Sequence, residues 1–198
     1  GEVACNWKLL MENFIEPYHV QFVHKNTTSQ PLEDHYAVAE GHCLGSAVDL
    51  SDEQVANAGE GTLGVTSKYL TLFPNFVLGL YPDSIIFYQE LPKSATETLQ
   101  RGICYRKPDE SRQMKVSRYL SGRIDRDTGA EDQMLMVWSC EATKSSAYEG
   151  VVFSDLEYGV KTYHDHLRHL MPVLAQATVP ELGQMAGLNA EILVKGIS

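Results

Sequence analysis

Cysteine is scarce and poorly placed for a scaffold role: Cys5, Cys43, Cys104 and Cys140 lie far apart, with no Cys-x-x-Cys or Cys-x-His pair. That spacing excludes a disulfide framework and a thiolate cluster, and reduced thiols in a cytoplasm are the expectation. Positive charge is also short, with 16 Lys and Arg against 26 Asp and Glu and a formal net charge of −10. Nucleic acid and anionic lipid both call for a basic surface, so neither is an expected partner. Solubility accounts for the acidity, with docking of a basic redox protein as the alternative. No apolar run approaches the length of a membrane span and no signal peptide opens the chain, so a soluble, cytoplasmic protein is expected. Internal repeats and low-complexity linkers are absent too. What remains is 198 residues with 43% hydrophobic and 21% charged content. That describes one globular domain, 1–198, with a core of ordinary size.

The patterning divides the chain into three. Residues 6–24 predict a helix, with Leu9, Leu10, Phe14 and Ile15 at helical spacing, and a polar loop follows over 25–34. Tyr36 to Leu50 predicts a strand and a turn, and the Gly-, Ala- and acid-rich stretch 51–66 a mobile loop. The runs Tyr69–Phe73, Phe76–Tyr81, Ser84–Leu91 and Thr96–Arg106, separated by Pro74-Asn75, Pro82-Asp83 and Pro92-Lys93, predict an antiparallel meander. A further strand is expected over Gln113–Ser121. After an Asp127-Thr128-Gly129 turn, helices are expected over Asp132–Ser145, from Asp155 to Met171 behind a Ser154/Glu157 capping box, and over 180–193. Helix, antiparallel sheet, then helices is the order of an α+β domain with helices packed on one sheet face.

The segment from Asn6 to His24 concentrates the chemistry: two histidines, a carboxylate and an asparagine within a dozen residues. Imidazole plus carboxylate is the ligand set of non-haem iron(II) sites that leave positions open. Spacing argues both ways. Residues five apart point about 140° away from each other on a regular helix, so His19 and His24 converge only if the helix breaks. Pro17 supplies the break, since it lacks an N–H and disfavours helical geometry at Glu16. One packed and one surface histidine is the alternative. Asp125-x-Asp127-x-Gly129 resembles the start of a calcium loop, but Met136 stands where its twelfth-position Glu belongs. His164, His166 and His169 read as a polar helix face.

The Asn6-to-His24 segment resembles the opening of the catalytic domain of Rieske non-haem iron aromatic-ring-hydroxylating oxygenase α-subunits. It has Asn6-Trp7-Lys8, Glu12-Asn13, a carboxylate three residues before His19, and a second histidine five further on. Ser146, Tyr148, Gly150, Ser154 and Glu157 follow the family's closing pattern, while Cys140 departs from it where glutamine is common. The resemblance implies a helix-grip (START/Bet v 1-like) sheet wrapped around a long helix. It implies Fe(2+) on His19, His24 and an acidic residue opening a late helix, here Asp132, with Asp125, Asp127 and Glu131 as rivals. It makes Glu16 the bridge for electrons from a neighbouring subunit's cluster, and places Asn13 near the metal.

Such enzymes also carry a [2Fe-2S] Rieske cluster on two Cys and two His, and no cysteine here has the required histidine spacing. The expectation is therefore a piece of a longer protein, homotrimeric when full length and served by a reductase or ferredoxin. The implied function is hydroxylation of an organic substrate with O2, with N- or O-demethylation or a metal-free ligand-binding module as alternatives. Leu70, Leu72, Phe76, Leu78, Leu80, Ile86 and Tyr88 are the candidate pocket lining. The aromatic residues of the strands suit an aromatic substrate, which is the expectation, and equally a quaternary ammonium.

Overall fold

The computed structural model describes residues 1–28, 30–53, 56 and 66–196. The mobile loop expected over 51–66 lies almost wholly outside them.

The meander forms with turns at Pro74-Asn75 and Pro82-Asp83 as expected, whereas Pro92-Lys93 lies inside the sixth strand and the last turn falls at Ala95-Thr96. Strands β1 (Glu2–Val3), β2 (His35–Glu40), β3 (Cys43–Asp49), β4 (Thr66–Leu72), β5 (Phe76–Leu80), β6 (Ile85–Ser94) and β7 (Glu97–Tyr105) make one sheet in the order β1-β7-β6-β5-β4-β3-β2. Every pairing is antiparallel. At Gly45 the backbone has φ +155°, and a Cβ there would stand 1.9 Å from the Tyr69 carbonyl oxygen. A side chain at this position would force β3 and β4 apart.

Among the described residues the α-helices are α1 (Trp7–Ile15), α2 (Val20–Val23), α3 (Arg112–Ala142), α4 (Tyr158–Leu170) and α5 (Met185–Lys195). α1 and α4 cover one sheet face. Met11 and Ile15 meet Val160, Tyr163 and Leu167 over Leu44 and Val77, and each such buried side chain contributes about 1.5–3 kcal/mol. Gly159 permits the approach, since a Cβ there would lie 2.7 Å from Ile15 Cγ2. A second cluster, Val3, Cys5, Leu10, Met136 and Cys140, ties β1 and α1 to α3. Cys140, where the chain departs from the family pattern, thus packs in core two helical turns past Asp132. The expected capping forms before α4, where the Ser154 N–H donates to Glu157 Oε2 at 2.7 Å. Among the described residues no helix is long and apolar enough to cross a membrane.

Three further expectations are corrected. Gln113–Ser121 is not a strand, and Asp127-Thr128-Gly129 is not a turn: both lie inside the 31-residue α3. The Ser111 hydroxyl caps that helix, accepting from Met114 N at 3.1 Å. No proline interrupts it, and each internal glycine costs only about 1 kcal/mol. The pocket lining expected from β4 and β5 stands on the sheet face away from the helices. Ser67, Tyr69 and Thr71 alternate toward the helices, so Leu70 and Leu72 stand on the opposite face. Phe76, Leu78 and Leu80 likewise flank the inward Val77 and Gly79. Ile86 and Tyr88 do face the helices, Tyr88 stacking on Phe14 with ring centroids 5.9 Å apart.

Candidate metal centre

Pro17 organises the site. α1 stops at Ile15, Glu16 is extended (φ −107°, ψ 141°), and a single turn, α2, restarts between His19 and His24. The Glu16 carboxylate knits the break together: Oε2 accepts from the backbone N–H of Tyr18 and, at 3.1 Å, of His19. The two histidines cap the ends of one turn, and their ring centroids come to 5.2 Å.

Their tautomers follow from their partners. His19 Nδ1 lies 2.6 Å from Glu16 Oε1, and His24 Nδ1 lies 2.7 Å from Glu131 Oε2, itself an acceptor from Thr27 Oγ1 at 2.9 Å. A carboxylate can only accept, so each Nδ1–H donates and each Nε2 keeps its lone pair. Both Nε2 atoms turn toward Asp132: Oδ1 is 3.0 Å from that of His24 and 3.5 Å from that of His19. All three ligand atoms lie within 4.8 Å of one another, and among the described residues no other group of three or more could hold a metal.

These residues fit a metal ion. Bonds of about 2.1 Å at right angles put neighbouring ligand atoms about 3 Å apart, close to the two separations from Asp132 Oδ1. Asp132 Oδ1 is buried without a hydrogen bond, which is costly for a carboxylate unless a cation takes it. Burial pushes the His24 imidazole pKa down, but Asp132 and Glu131 outweigh it and hold the pKa above the ordinary value. The local field favours positive charge.

Asp132 does not open a helix; it sits within α3, as does Glu131. Asn13 lines the same cavity, buried, with its Oδ1 unpartnered. Asp127 is exposed. His164 is more than a surface residue, since its Nε2 lies 2.9 Å from Glu12 Oε1 on α1, while His166 reaches the Gly41 carbonyl oxygen at 3.0 Å. Glu131 as the partner of His24 had no sequence signal beyond its place beside Asp132. Nor had His35, buried at the head of β2 with neither ring nitrogen hydrogen-bonded and its pKa lowered chiefly by burial.

Above the triad a cavity of about 1020 Å³ opens between the sheet and α3. An antiparallel sheet gripping helices on one side, with a two-histidine, one-carboxylate group in the cavity, defines a helix-grip domain equipped for a metal.

The chain belongs to the ring hydroxylating alpha subunit (catalytic domain) family, whose model matches residues 1–173. No curated protein matches it. Among solved structures it is similar to the quaternary ammonium Rieske monooxygenase CntA in complex with an inhibitor, at 16% identity and TM-score 0.66, covering 85% of this chain and 47% of that one. It is similar to dicamba monooxygenase bound to dicamba, at 14% identity and TM-score 0.61, covering 88% of this chain and 57% of that one. The NdmA QL mutant of Pseudomonas putida CBB5 with theobromine gives 18% identity and TM-score 0.59, covering 88% of this chain and 49% of that one. At these identities the likeness is one of fold, and the chain spans about half the length of the structures it matches.

Proposed function

We propose that this chain is the catalytic domain, 1–198, of an oxygenase, holding iron(II) on His19, His24 and Asp132 to hydroxylate an organic substrate with dioxygen. The observation that carries the reading is the convergence of two imidazole Nε2 atoms and a buried, unbonded carboxylate oxygen on one point. Iron(II) bound there supplies dioxygen activation, because three protein ligands leave coordination positions open.

Each residue then has a part. Glu16 and Glu131 hold the His19 and His24 rings in the tautomer that presents Nε2. Asp132 brings the negative charge, and Asn13 offers an unpaired oxygen in the same cavity. Phe14 and Pro17 keep that end of the cavity apolar. Electrons arrive through a reductase or ferredoxin and a [2Fe-2S] Rieske cluster carried by the longer protein, a homotrimer in which Glu16 bridges from the neighbouring subunit. Oxidation of an N- or O-methyl carbon is the second reading, favoured by the likeness to a quaternary ammonium monooxygenase and to dicamba monooxygenase.

Anaerobic loading of the purified chain with Fe(II), followed by metal analysis, tests the assignment. One iron per chain is expected for the parent and for His166→Ala, and little or none for His24→Ala and Asp132→Ala. Equal iron in all four would overturn it and leave a metal-free binding module.

A further inference from the structure

The cavity has a second polar centre, away from the metal ligands. α3 turns a stripe of Ser117, Ser121, Asp125, Thr128 and Asp132 into it, spacings of three and four residues that keep side chains on one helix face. Asp132 ends the stripe at the triad, and Asp125 precedes it by two turns, about 10 Å along the axis.

Asp83, after β5, faces the stripe and is satisfied. Its Oδ2 accepts from Ser117 Oγ at 3.2 Å and Ser121 Oγ at 2.5 Å, and its Oδ1 from Ser84 Oγ at 3.1 Å. Asp125 accepts no hydrogen bond among the described residues. Burial, then the charge of Asp83, push its carboxyl up to about 6 against the pull of Arg126. Its own charge adds to burial in raising the hydroxyl pKa of Tyr69, Tyr81 and Tyr88, so it stands among three neutral phenols. Two of these, Tyr69 and Tyr81, line the cavity and meet edge to face at 5.6 Å and 80°. Arg112, the one Lys or Arg in the described lining, is thirteen residues from Asp125, about 20 Å along α3.

A purely aromatic substrate would press an apolar ring against this carboxylate and strip its water, which is costly. A cation would pair with it and present its charge to the tyrosine faces. We infer that the substrate carries an ammonium group, protonated or quaternary, that binds at Asp125 beside the Tyr69–Tyr81 pair with Asp83 behind it. The carbon that is oxidised belongs to another part of the molecule, nearer Asp132. This rests on reading the cavity as the substrate pocket of the proposed oxygenase.

The test uses two probes of one shape, phenyltrimethylammonium and its uncharged isostere tert-butylbenzene, titrated calorimetrically into the iron-free chain at pH 7.5. An apolar pocket prefers the hydrocarbon. Here the cation should bind more tightly by about tenfold or more, and Asp125→Asn should abolish that preference while leaving tert-butylbenzene affinity no weaker. Equal affinities in the parent chain, or loss of both probes alike in the variant, would overturn the inference. Iron loading of the same preparations separates the two readings. Iron uptake without cation preference sinks only the cationic substrate, and cation preference without iron uptake sinks only the oxygenase.

Discussion

Glu90 is wholly buried on β6, with Oε1 accepting from Gln100 Nε2 at 2.8 Å and Oε2 bonded to nothing. Burial raises its carboxyl pKa from 4.5 to about 7, against the opposing Gln100 bond and terminal amine. An acid whose folded pKa is raised binds its proton more tightly when folded, so its contribution favours folding most below about pH 4.5. That contribution fades as pH climbs toward 7 and is gone above it. The gap is worth at most about 3 kcal/mol. Glu90→Gln should therefore be more stable than the parent by about 1–3 kcal/mol at pH 8, with little difference at pH 4.5. Urea unfolding of both proteins at the two pH values checks this, and a pH-independent difference would contradict it. Glu90 lies where nothing in a linear pattern singles it out, since burial of an acid is a tertiary outcome. His19 and His24 are the opposite case. Their spacing left two readings open, and only the wider motif around them pointed to one site.

Elements were legible where side-chain period and turn residues agreed. Pro17 marked the break between α1 and α2, and the proline-bearing turns marked the β4–β5 and β5–β6 hairpins, while Pro92-Lys93 falls within β6. α3 was not legible as one helix. Asp127-Thr128-Gly129 has turn composition, and Val116, Ser117 and Tyr119 look strand-like, yet Val116, Leu120 and Ile124 repeat every four residues. The tertiary context overrides weak local preference. Hiding that helix also hid the stripe from Ser117 to Asp132, and with it the second polar centre of the cavity. The inward face of β4 was misjudged because its apolar residues, Leu70 and Leu72, point outward while Ser67 and Thr71 are buried. Gly45 decides whether β3 and β4 can pair at all. Gly45→Ala would put a Cβ onto the Tyr69 carbonyl, and we expect it to cost about 2–4 kcal/mol. Chemical denaturation measures this, and an unchanged midpoint would show that the strands part without penalty.

At the scale of the whole molecule, α1 is a partition. The cavity of about 1020 Å³ lies on one side and another of about 630 Å³ on the other, and Asn13 and Glu16 belong to both walls. The outer cavity is bordered by Lys8, Glu12, Lys144 and His164, with Val152 almost fully exposed at its edge. Glu16 thus joins the side chain of His19 to a second, accessible surface of the domain, with only 14% of its own side chain exposed. A carboxylate in that position suits the proposed path for electrons from a neighbouring subunit of the longer protein. Glu16→Gln keeps an acceptor for the Tyr18 and His19 N–H groups but removes the charge. In the full-length enzyme it should leave iron content unchanged and lower NAD(P)H-driven turnover severalfold or more. Turnover driven by hydrogen peroxide needs no external electrons and should persist. If iron is lost, or if both activities fall together, Glu16 does no more than hold the His19 ring in place and carries no electrons.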